Sequence, residues 1–366
     1  MKRLGISVYP DYSEEKEIID YLELASNYGF DVLFIALLNI DGTREEVIEQ
    51  YKTITHTAKE LGYEISCDVN PQVFEKLGVN ASLFKGPLDL SFFTELKVDI
   101  LRLDYGMSDL EEAFLTKNDA GIKICFNGAS ITDHVGHVLS AGGKPENIIG
   151  CHNYYPHRYT GVSLDYFEKG TAHWNNHNLR LQSFVTSTQE DAFGPWPVTE
   201  GLPTLEMHRN LPIEVQMKHY LMMDTVDDIL IGNAFATEDE LRKMSETNSE
   251  KIEFSIELVD NLPYEQKERL KMNLSRRGDL NDYIIRTLES RMLNLEVEPF
   301  NTVPIKRGDV LIDNKLYGQY SGEVQIALQD MENSGKTNVV GHIDENEIML
   351  IDYLKGGQPF TFSFIK

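Results

Sequence analysis

Residues 99–106 read Asp99-Ile100-Leu101-Arg102-Leu103-Asp104-Tyr105-Gly106, and this stretch shows the pattern that decides the fold. A short apolar run is followed at once by a carboxylate, an aromatic residue and a glycine. Apolar runs of this length are typical of strands in a parallel sheet that is covered on both faces. The polar residues that follow such a strand then lie at the carboxyl edge of the sheet.

The same pattern recurs along roughly the first 245 residues. Helical patterns follow several of the strands, for example over 13–28, 43–61, 163–177 and 237–245. Eight strand–helix pairs in about 245 residues match the count and length of an α/β fold of the (β/α)8, or TIM-barrel, type. A doubly wound open sheet is the alternative, but no strand is followed by a Gly-x-Gly-x-x-Gly or Walker-type loop. The predicted strands cover 4–8, 31–37, 64–69, 99–103, 122–126, 147–152, 179–185 and 227–231.

After about residue 250 the helical periodicity gives way to short strand-like segments with turn signals between them. We therefore predict two domains, a TIM barrel in residues 1–245 and a smaller, mainly β domain in residues 246–366, which we expect to be a closed barrel. The strand-like segments of the second domain are 310–312, 324–328, 338–340 and 347–351.

Composition excludes several classes of partner. The chain has 366 residues, with 34 Lys and Arg against 59 Asp and Glu, for a net charge of −25. Nucleic acids and anionic membrane surfaces require a positive field, so neither is expected as a partner. The longest apolar run, 32–38, is too short to span a bilayer. Acidic residues follow the N-terminus too closely for a secretory signal.

The three cysteines, Cys67, Cys125 and Cys151, lie far apart in apolar segments. We predict free, buried thiols and no disulfide framework. This favours a reducing compartment, most simply the cytoplasm.

Polar and aromatic side chains follow almost every predicted strand, where a TIM barrel has its active site. Amides bind sugar hydroxyls and aromatic rings cover the apolar face of a sugar, so a sugar-binding mouth is predicted. The predicted binding residues at these positions are Tyr9, Asn39, Asn70, Asn127, His152, Asn153, Tyr154 and Asn233.

Asp68 and Asp104 follow adjacent strands, which run about 4.8 Å apart. We predict that they are the catalytic pair of a glycosidase, one as acid and the other as nucleophile or base. In the alternative interpretation, one or both cap a loop or a helix. Asp68, Asp104 and His152 could instead hold a divalent metal in a sugar-phosphate isomerase or epimerase. Hydrogen bonding is favoured for His152, so no metal and no other cofactor is predicted.

The long connection over 186–212 follows strand seven, where barrels often bind phosphate. It contains Glu206 and Arg209, both predicted substrate-binding residues. In an acidic protein an anionic substrate needs local cations, and Arg209 and Arg158 are the candidates. Backbone N–H groups near Asn233 are another candidate. The alternative is a packing loop with surface charges. Two histidine pairs in predicted helices, at 134/137 and 173/177, are interpreted as structural or surface residues.

An ordered set of motifs along nearly the whole chain resembles a bacterial family, the 6-phospho-N-acetylmuramidases of glycoside hydrolase family 170. The family was formerly described as a conserved domain of unknown function or "outer surface protein". No single motif decides the resemblance, whereas their order is specific. The motifs lie at 4–10, 67–71, 101–106, 126–130, 152–156, 201–209, 307–310, 312–314 and 320–326.

The resemblance implies a TIM barrel followed by a cyclophilin-like β-barrel. It also implies a cytoplasmic enzyme of peptidoglycan recycling, which cleaves the β-1,4 bond between N-acetylmuramic acid 6-phosphate and N-acetylglucosamine. The expected partner is thus a small phosphorylated amino-sugar disaccharide. The roles of Asp68 and Asp104 rest on the residues themselves and not on the resemblance. A non-catalytic binder of a wall fragment remains an alternative, and assembly into a homo-oligomer is left open.

Overall fold

The computed structural model describes residues 2–38, 42–247, 251–293 and 296–365. These residues fall into two compact units. The first runs to Thr247 except for Leu221–Met223, and the second contains Leu221–Met223 and the described residues from 251 onward. No helix in the described ranges is long and apolar enough to cross a membrane.

Eight parallel strands form a closed barrel in the first unit, which confirms the predicted barrel. The barrel closes because β1 pairs with β8 as well as with β2, with Arg3 opposite Asp228 and Ile6 opposite Ile231. The strands are β1 (Arg3–Val8), β2 (Phe30–Leu37), β3 (Glu64–Val69), β4 (Ile100–Leu103), β5 (Lys123–Asn127), β6 (Ile148–Cys151), β7 (Leu181–Val185) and β8 (Asp228–Ile231).

The helices of this unit begin where side-chain oxygens can accept the first free N–H groups. Thr43 and Ser108 cap α2 and α5 in this way. The helix α8 was not predicted from the sequence because it is buried on nearly every side and lacks an amphipathic stripe. The helices are α1 (Glu15–Asn27), α2 (Arg44–Glu60), α3 (Pro71–Lys76), α4 (Ser91–Glu95), α5 (Asp109–Leu115), α6 (His134–Ser140), α7 (Leu164–Asn176), α8 (Ile213–Met223) and α9 (Glu238–Glu246).

Alternate residues of the strands fill the interior of the barrel. Phe34, Ile100, Cys125 and Phe184 belong to this core, so the space between the strands is packed. All three cysteines are free and buried, as predicted.

An ionic network occupies the amino-terminal ends of the strands. Glu64 accepts from Arg180 Nη1 at 2.7 Å and from Lys123 Nζ at 3.1 Å, and it also pairs with Arg3. Arg180 in turn pairs with the buried Asp228. Burial alone would raise the pKa of Glu64, but the surrounding cations, Arg180 foremost, hold it at about 2. This end of the barrel therefore gains stability from charge pairing.

The second unit contains a seven-stranded sheet in the order β10-β15-β9-β14-β12-β13-β11. Arg277, just after the edge strand β10, donates its N–H to the carbonyl of Arg286 in the other edge strand, β11. The two edges of the sheet therefore approach each other. The cyclophilin-like form stays a prediction. The elements are β9 (Ile252–Leu258), α10 (Tyr264–Arg269), β10 (Leu274–Ser275), β11 (Ile284–Arg286), β12 (Asp309–Asp313), β13 (Val324–Ala327), β14 (Thr337–Ile343) and β15 (Pro359–Ile365).

The strand predicted over 347–351 is wrong, because Ile348–Tyr353 forms a 3₁₀ helix. The buried positions of this helix and its two caps are Glu347, Leu350, Ile351 and Leu354. These recur at intervals of three and four residues, which is a helical spacing.

Candidate active site

Arg102 joins the two predicted catalytic carboxylates at the carboxyl end of the barrel. Its Nη1 lies 2.5 Å from Asp68 Oδ1 and 3.7 Å from Asp104 Oδ1. Its other terminal nitrogen donates to the side-chain oxygen of Asn153. Strand geometry explains the arrangement, since Asp68 is directly opposite Arg102 in the register of β3 and β4. The structure therefore brings Asp68, Asp104 and Asn153 together, as predicted for the barrel mouth.

The two carboxylates differ in their access to water. Asp68 is 2 % exposed, whereas the side chain of Asp104 is 33 % exposed. Burial raises the pKa of Asp68 to about 6, and the negative charge of Asp104 adds to this shift while the Arg102 guanidinium opposes it. The deep carboxyl therefore holds a proton at higher pH than an ordinary aspartate does. A carboxyl with a raised pKa beside a second carboxyl suits acid–base chemistry.

Aromatic side chains surround the guanidinium of Arg102. Its central carbon lies 5.9 Å from the centroid of the Phe34 ring. The ring of Tyr154 packs edge-on against Phe34 and Phe184, with centroid distances of 6.0 and 5.1 Å. Tyr9 is buried, and its hydroxyl donates to the carbonyl of Gly232. Burial raises the pKa of both tyrosines, so their hydroxyls remain protonated donors at neutral pH.

Three of the predicted sugar-binding amides form hydrogen bonds with the backbone of nearby loops. Asn70 caps α3, accepting from the N–H of Val73, and Asn127 accepts from the N–H of Ala129. Asn233 is buried and exchanges hydrogen bonds with the backbone of Ser187. The buried Asn233 is thereby committed to the loop, whereas sugar binding by the half-buried Asn70 and Asn127 stays a prediction. Asn39 lies outside the described residues.

The structure places His152 away from the carboxylates. Its ring is buried between β6 and α7, where Nε2 contacts Thr171 Oγ1 at 2.9 Å and the ring stacks on Phe167. Strand alternation explains this position, since Cys151 belongs to the barrel interior and its neighbours face the helices. Burial lowers the pKa of His152 to about 3, so the ring is neutral. The metal-binding set of Asp68, Asp104 and His152 is therefore not assembled, which corrects the isomerase alternative.

Arg209 connects two loops at the mouth. All five of its N–H groups donate within the protein, to both carboxylate oxygens of Glu206 and to the carbonyls of Glu200, Gly201 and Tyr155. Glu206 also accepts from two backbone N–H groups after β6. No donor of Arg209 is left for a phosphate in this arrangement, and both residues act as loop supports. Arg158 differs, because its side chain is 60 % exposed and makes a single pair with Glu200 at 3.4 Å.

The sequence analysis assigned no role to Arg102, although the signal was present. Residues 100, 102 and 104 alternate along one strand and its end, so they share a face if β4 is regular. An arginine two residues before the predicted catalytic Asp104 therefore had to lie beside it. A charged side chain on a strand that is otherwise apolar needs a partner inside the barrel.

Two family models match the chain, one for each unit. The model described as "6-phospho-N-acetylmuramidase, N-terminal" matches residues 4–246, and the model described as "6-phospho-N-acetylmuramidase, C-terminal" matches residues 252–363. The chain belongs to the 6-phospho-N-acetylmuramidase family. The resemblance found in its sequence motifs is thereby confirmed.

Solved structures of similar proteins cover the same two units. An uncharacterized protein from B. cereus is 36 % identical, with a TM-score of 0.88 and 99 % of both chains covered. A conserved protein of unknown function from Enterococcus faecalis is 24 % identical, with a TM-score of 0.74 over 99 % of this chain and 96 % of that one. The second likeness shows the fold alone. No curated protein matches the chain significantly.

Proposed function

We propose that this member of the 6-phospho-N-acetylmuramidase family is a cytoplasmic glycoside hydrolase of peptidoglycan recycling. Its substrate is the disaccharide of N-acetylmuramic acid 6-phosphate and N-acetylglucosamine, and it hydrolyses the β-1,4 bond between them. Besides the family, the observation that carries this proposal is the pair of carboxylates on either side of Arg102. Asp68 and Asp104 are the catalytic residues of the proposal.

The spacing of the carboxylates favours a retaining mechanism. Because Asp68 Oδ1 and Asp104 Oδ1 contact the same Nη1, they lie no farther apart than the sum of the 2.5 and 3.7 Å contacts. That sum is below about 6.5 Å, the smallest separation of the two catalytic carboxyl groups in inverting glycosidases.

In the first step, the partly exposed Asp104 attacks the anomeric carbon of the muramic acid residue. The bond to O4 of N-acetylglucosamine breaks, and Asp68 donates its proton to that oxygen. In the second step, Asp68 takes a proton from water, whose oxygen displaces Asp104 from the anomeric carbon. The raised pKa of Asp68 supports this division of roles, because a general acid must carry its proton near the working pH.

Arg102 acts as a positioning residue in this scheme. It fixes the buried Asp68 in one orientation and holds Asn153 beside it. Its Nη1 also lies 3.7 Å from Asp104 Oδ1, so it keeps the proposed nucleophile close to Asp68. Tyr154 supplies an aromatic wall next to the sugar, and the buried Tyr9 supports the site from below.

We assign the 6-phosphate to Arg158 in place of Arg209. An exposed guanidinium with one long ion pair can turn to a phosphate, whereas a guanidinium with five internal hydrogen bonds cannot do so without loss. Arg209 then holds the loop after β6 that carries Arg158. Backbone N–H groups near Asn233 remain the alternative phosphate site.

Mass spectrometry of the purified protein with the phosphorylated disaccharide tests the activity. We expect two monosaccharide products, in equal amounts, with and without a chelator. A product of unchanged mass would indicate an isomerase or epimerase, and tight binding with no product would indicate a wall-fragment binder. Either result overturns the proposed hydrolysis.

A further inference from the structure

A second cluster of chemically active side chains lies on α5 and α6. Asp109 and Glu112 are three residues apart on α5, and His134 and His137 are three residues apart on α6, so each pair shares a helix face. One ligand atom from each of Asp109, Glu112 and His134 lies within 4.8 Å of the other two. These residues are separate from the proposed catalytic pair.

Glu112 is the unusual member of this cluster. Its side chain is fully buried, and its Oε1 accepts the backbone N–H of Met107 at 2.9 Å. Among the described residues, the group that faces its other oxygen, Oε2, is the imidazole of His134. A fully buried carboxylate needs a charged or hydrogen-bonding partner, because an unpaired buried charge is costly.

His134 is the imidazole that faces this oxygen. The distance from His134 Nε2 to Glu112 Oε2 is 2.7 Å, which is within hydrogen-bonding distance. Asp109 Oδ1 lies 3.8 Å from the same Nε2, and Asp109 Oδ2 lies 3.9 Å from Nδ1 of His137. Two carboxylates and the imidazole of His134 therefore surround one small region, and His137 lies beside Asp109.

No lysine or arginine in the described part of the chain forms an ion pair with Asp109 or Glu112. We propose that Asp109, Glu112 and His134 bind a divalent transition-metal ion of the zinc class. Imidazole nitrogen and carboxylate oxygen are ligands that zinc accepts in tetrahedral sites. At metal–ligand distances near 2.0–2.2 Å, adjacent ligands lie roughly 3.3 Å apart. To reach that spacing, the distance between Glu112 Oε2 and His134 Nε2 has to increase from 2.7 Å. The distance between Asp109 Oδ1 and His134 Nε2 has to decrease from 3.8 Å.

The site has a structural consequence for the barrel mouth. Glu112 receives the N–H of Met107, and Met107 belongs to the short loop that connects Asp104 to α5. A Cβ at Gly106 would lie 3.4 Å from the same Glu112 oxygen, so this loop packs directly on the carboxylate. A metal bound to Oε2 would therefore fix Glu112 and, through it, the loop after Asp104. The role is structural and adds no step to the proposed hydrolysis.

Isothermal titration of the chelator-treated full chain with Zn²⁺ tests the site. We expect about one ion per chain in the wild type, and about tenfold or more weaker binding in His134→Gln and in Glu112→Gln. Bound Zn²⁺ should raise the melting temperature of the wild type but not of the two variants. Hydrogen exchange of residues 104–108 should slow in the wild type on adding Zn²⁺.

Two control variants separate this site from adventitious binding. His56→Gln removes an exposed histidine on α2, and His177→Gln removes the partner of Asp133 between α6 and α7. Both should bind Zn²⁺ as the wild type does. Circular dichroism of each variant in the presence of chelator shows whether it is folded. If Glu112→Gln does not fold, the Zn²⁺ affinity of His134→Gln alone tests the proposal. The proposal is overturned by absence of binding to the wild type, by unchanged affinity in His134→Gln, or by an equal loss in either control. None of these readouts depends on substrate turnover.

Discussion

Asp68 and Asp104 contact the same nitrogen of Arg102, although one carboxylate is buried and the other is open to solvent. This relationship follows from adjacent strands, because β3 and β4 bring residues 68 and 102 into register and Asp104 ends the second strand. It gives the barrel mouth two adjacent carboxyls, of which the buried one, Asp68, has a raised pKa.

Removing either carboxylate should abolish most of the activity. Asp68→Asn and Asp104→Asn should each lower kcat for the phosphorylated disaccharide by about 10² or more, since each loses a group that acts in the transition state. Exogenous azide should restore turnover to an Asp104→Ala variant, in which a small anion can replace the nucleophile. Asp99→Asn, at the other end of β4, is the matched control and should retain wild-type kcat. Near wild-type kcat in both Asn variants contradicts the assignment.

The activity should fall as Asp68 loses its proton. With a pKa of about 6, the basic limb of the kcat/KM profile should begin near that pH. The raised pKa also links Asp68 to stability. Its contribution to the free energy of unfolding is complete below the unfolded pKa of about 3.9 and is lost as the pH rises through 6. Asp68→Asn should therefore flatten the dependence of unfolding free energy on pH between about 4 and 6. An unaltered slope in denaturant titrations of this variant would argue against a buried, raised Asp68.

Arg102→Met should raise the pKa of Asp68 further, because it removes the cation that lowers this pKa. The basic limb of kcat/KM should then move to higher pH. Breaking a buried ion pair from one side costs about 3–5 kcal/mol, so the variant should also unfold more easily at pH 8 than at pH 5. Arg102→Lys keeps the charge and should leave the limb close to its wild-type position. A limb that stays in place in Arg102→Met would show that Asp68 is not the titrating group.

The two arginines of the mouth loops should behave differently. Arg158→Ala should raise KM for the phosphorylated disaccharide far more than for its unphosphorylated analogue, because the variant loses a direct phosphate contact. Arg209→Ala should lower the melting temperature and affect both substrates alike, because its hydrogen bonds are internal. The measurement is the ratio of kcat/KM for the two substrates in each variant. An unchanged ratio in Arg158→Ala would contradict the assignment of the phosphate to Arg158 and favour the backbone N–H groups near Asn233.

Glu64 should stabilise the opposite end of the barrel. Its folded pKa of about 2 lies below the unfolded value, so its contribution is complete above about pH 4.5 and is lost as the pH falls through 2. Glu64→Gln should reduce the unfolding free energy at pH 7 by roughly 1–3 kcal/mol and should have little effect on kcat. Glu60→Gln, on the exposed end of α2, is the control. Equal unfolding free energies of the two variants in urea would show that Glu64 does not stabilise the barrel.

The barrel itself could be predicted because each buried parallel strand leaves a continuous apolar run and a polar end. The positions of Asp68 and Asp104 follow from the same rule. His152 also follows a strand, but its side chain faces the helices. Side chains along β6 alternate between the barrel interior and the helices, so the position of a residue in this alternation decides which side it faces. Counting alternate residues from Cys151 would have placed it correctly.

The roles of Arg209 and Asn233 could not be predicted from local pattern. Both are fixed by hydrogen bonds to loops that are distant in sequence, such as Tyr155 for Arg209 and Ser187 for Asn233. The cluster at Asp109 and His134 has the same origin, since it needs α5 and α6 to pack side by side. Contacts between elements depend on tertiary structure and leave no spacing signal in the chain.

Proton NMR of the first product tests the central claim most directly. The purified protein is mixed with the phosphorylated disaccharide, and the anomeric signal of the released N-acetylmuramic acid 6-phosphate is followed before it mutarotates. Two carboxylates this close predict retention, so the β anomer should form first, alongside N-acetylglucosamine. Initial release of the α anomer, or a disaccharide that stays intact, would contradict the account.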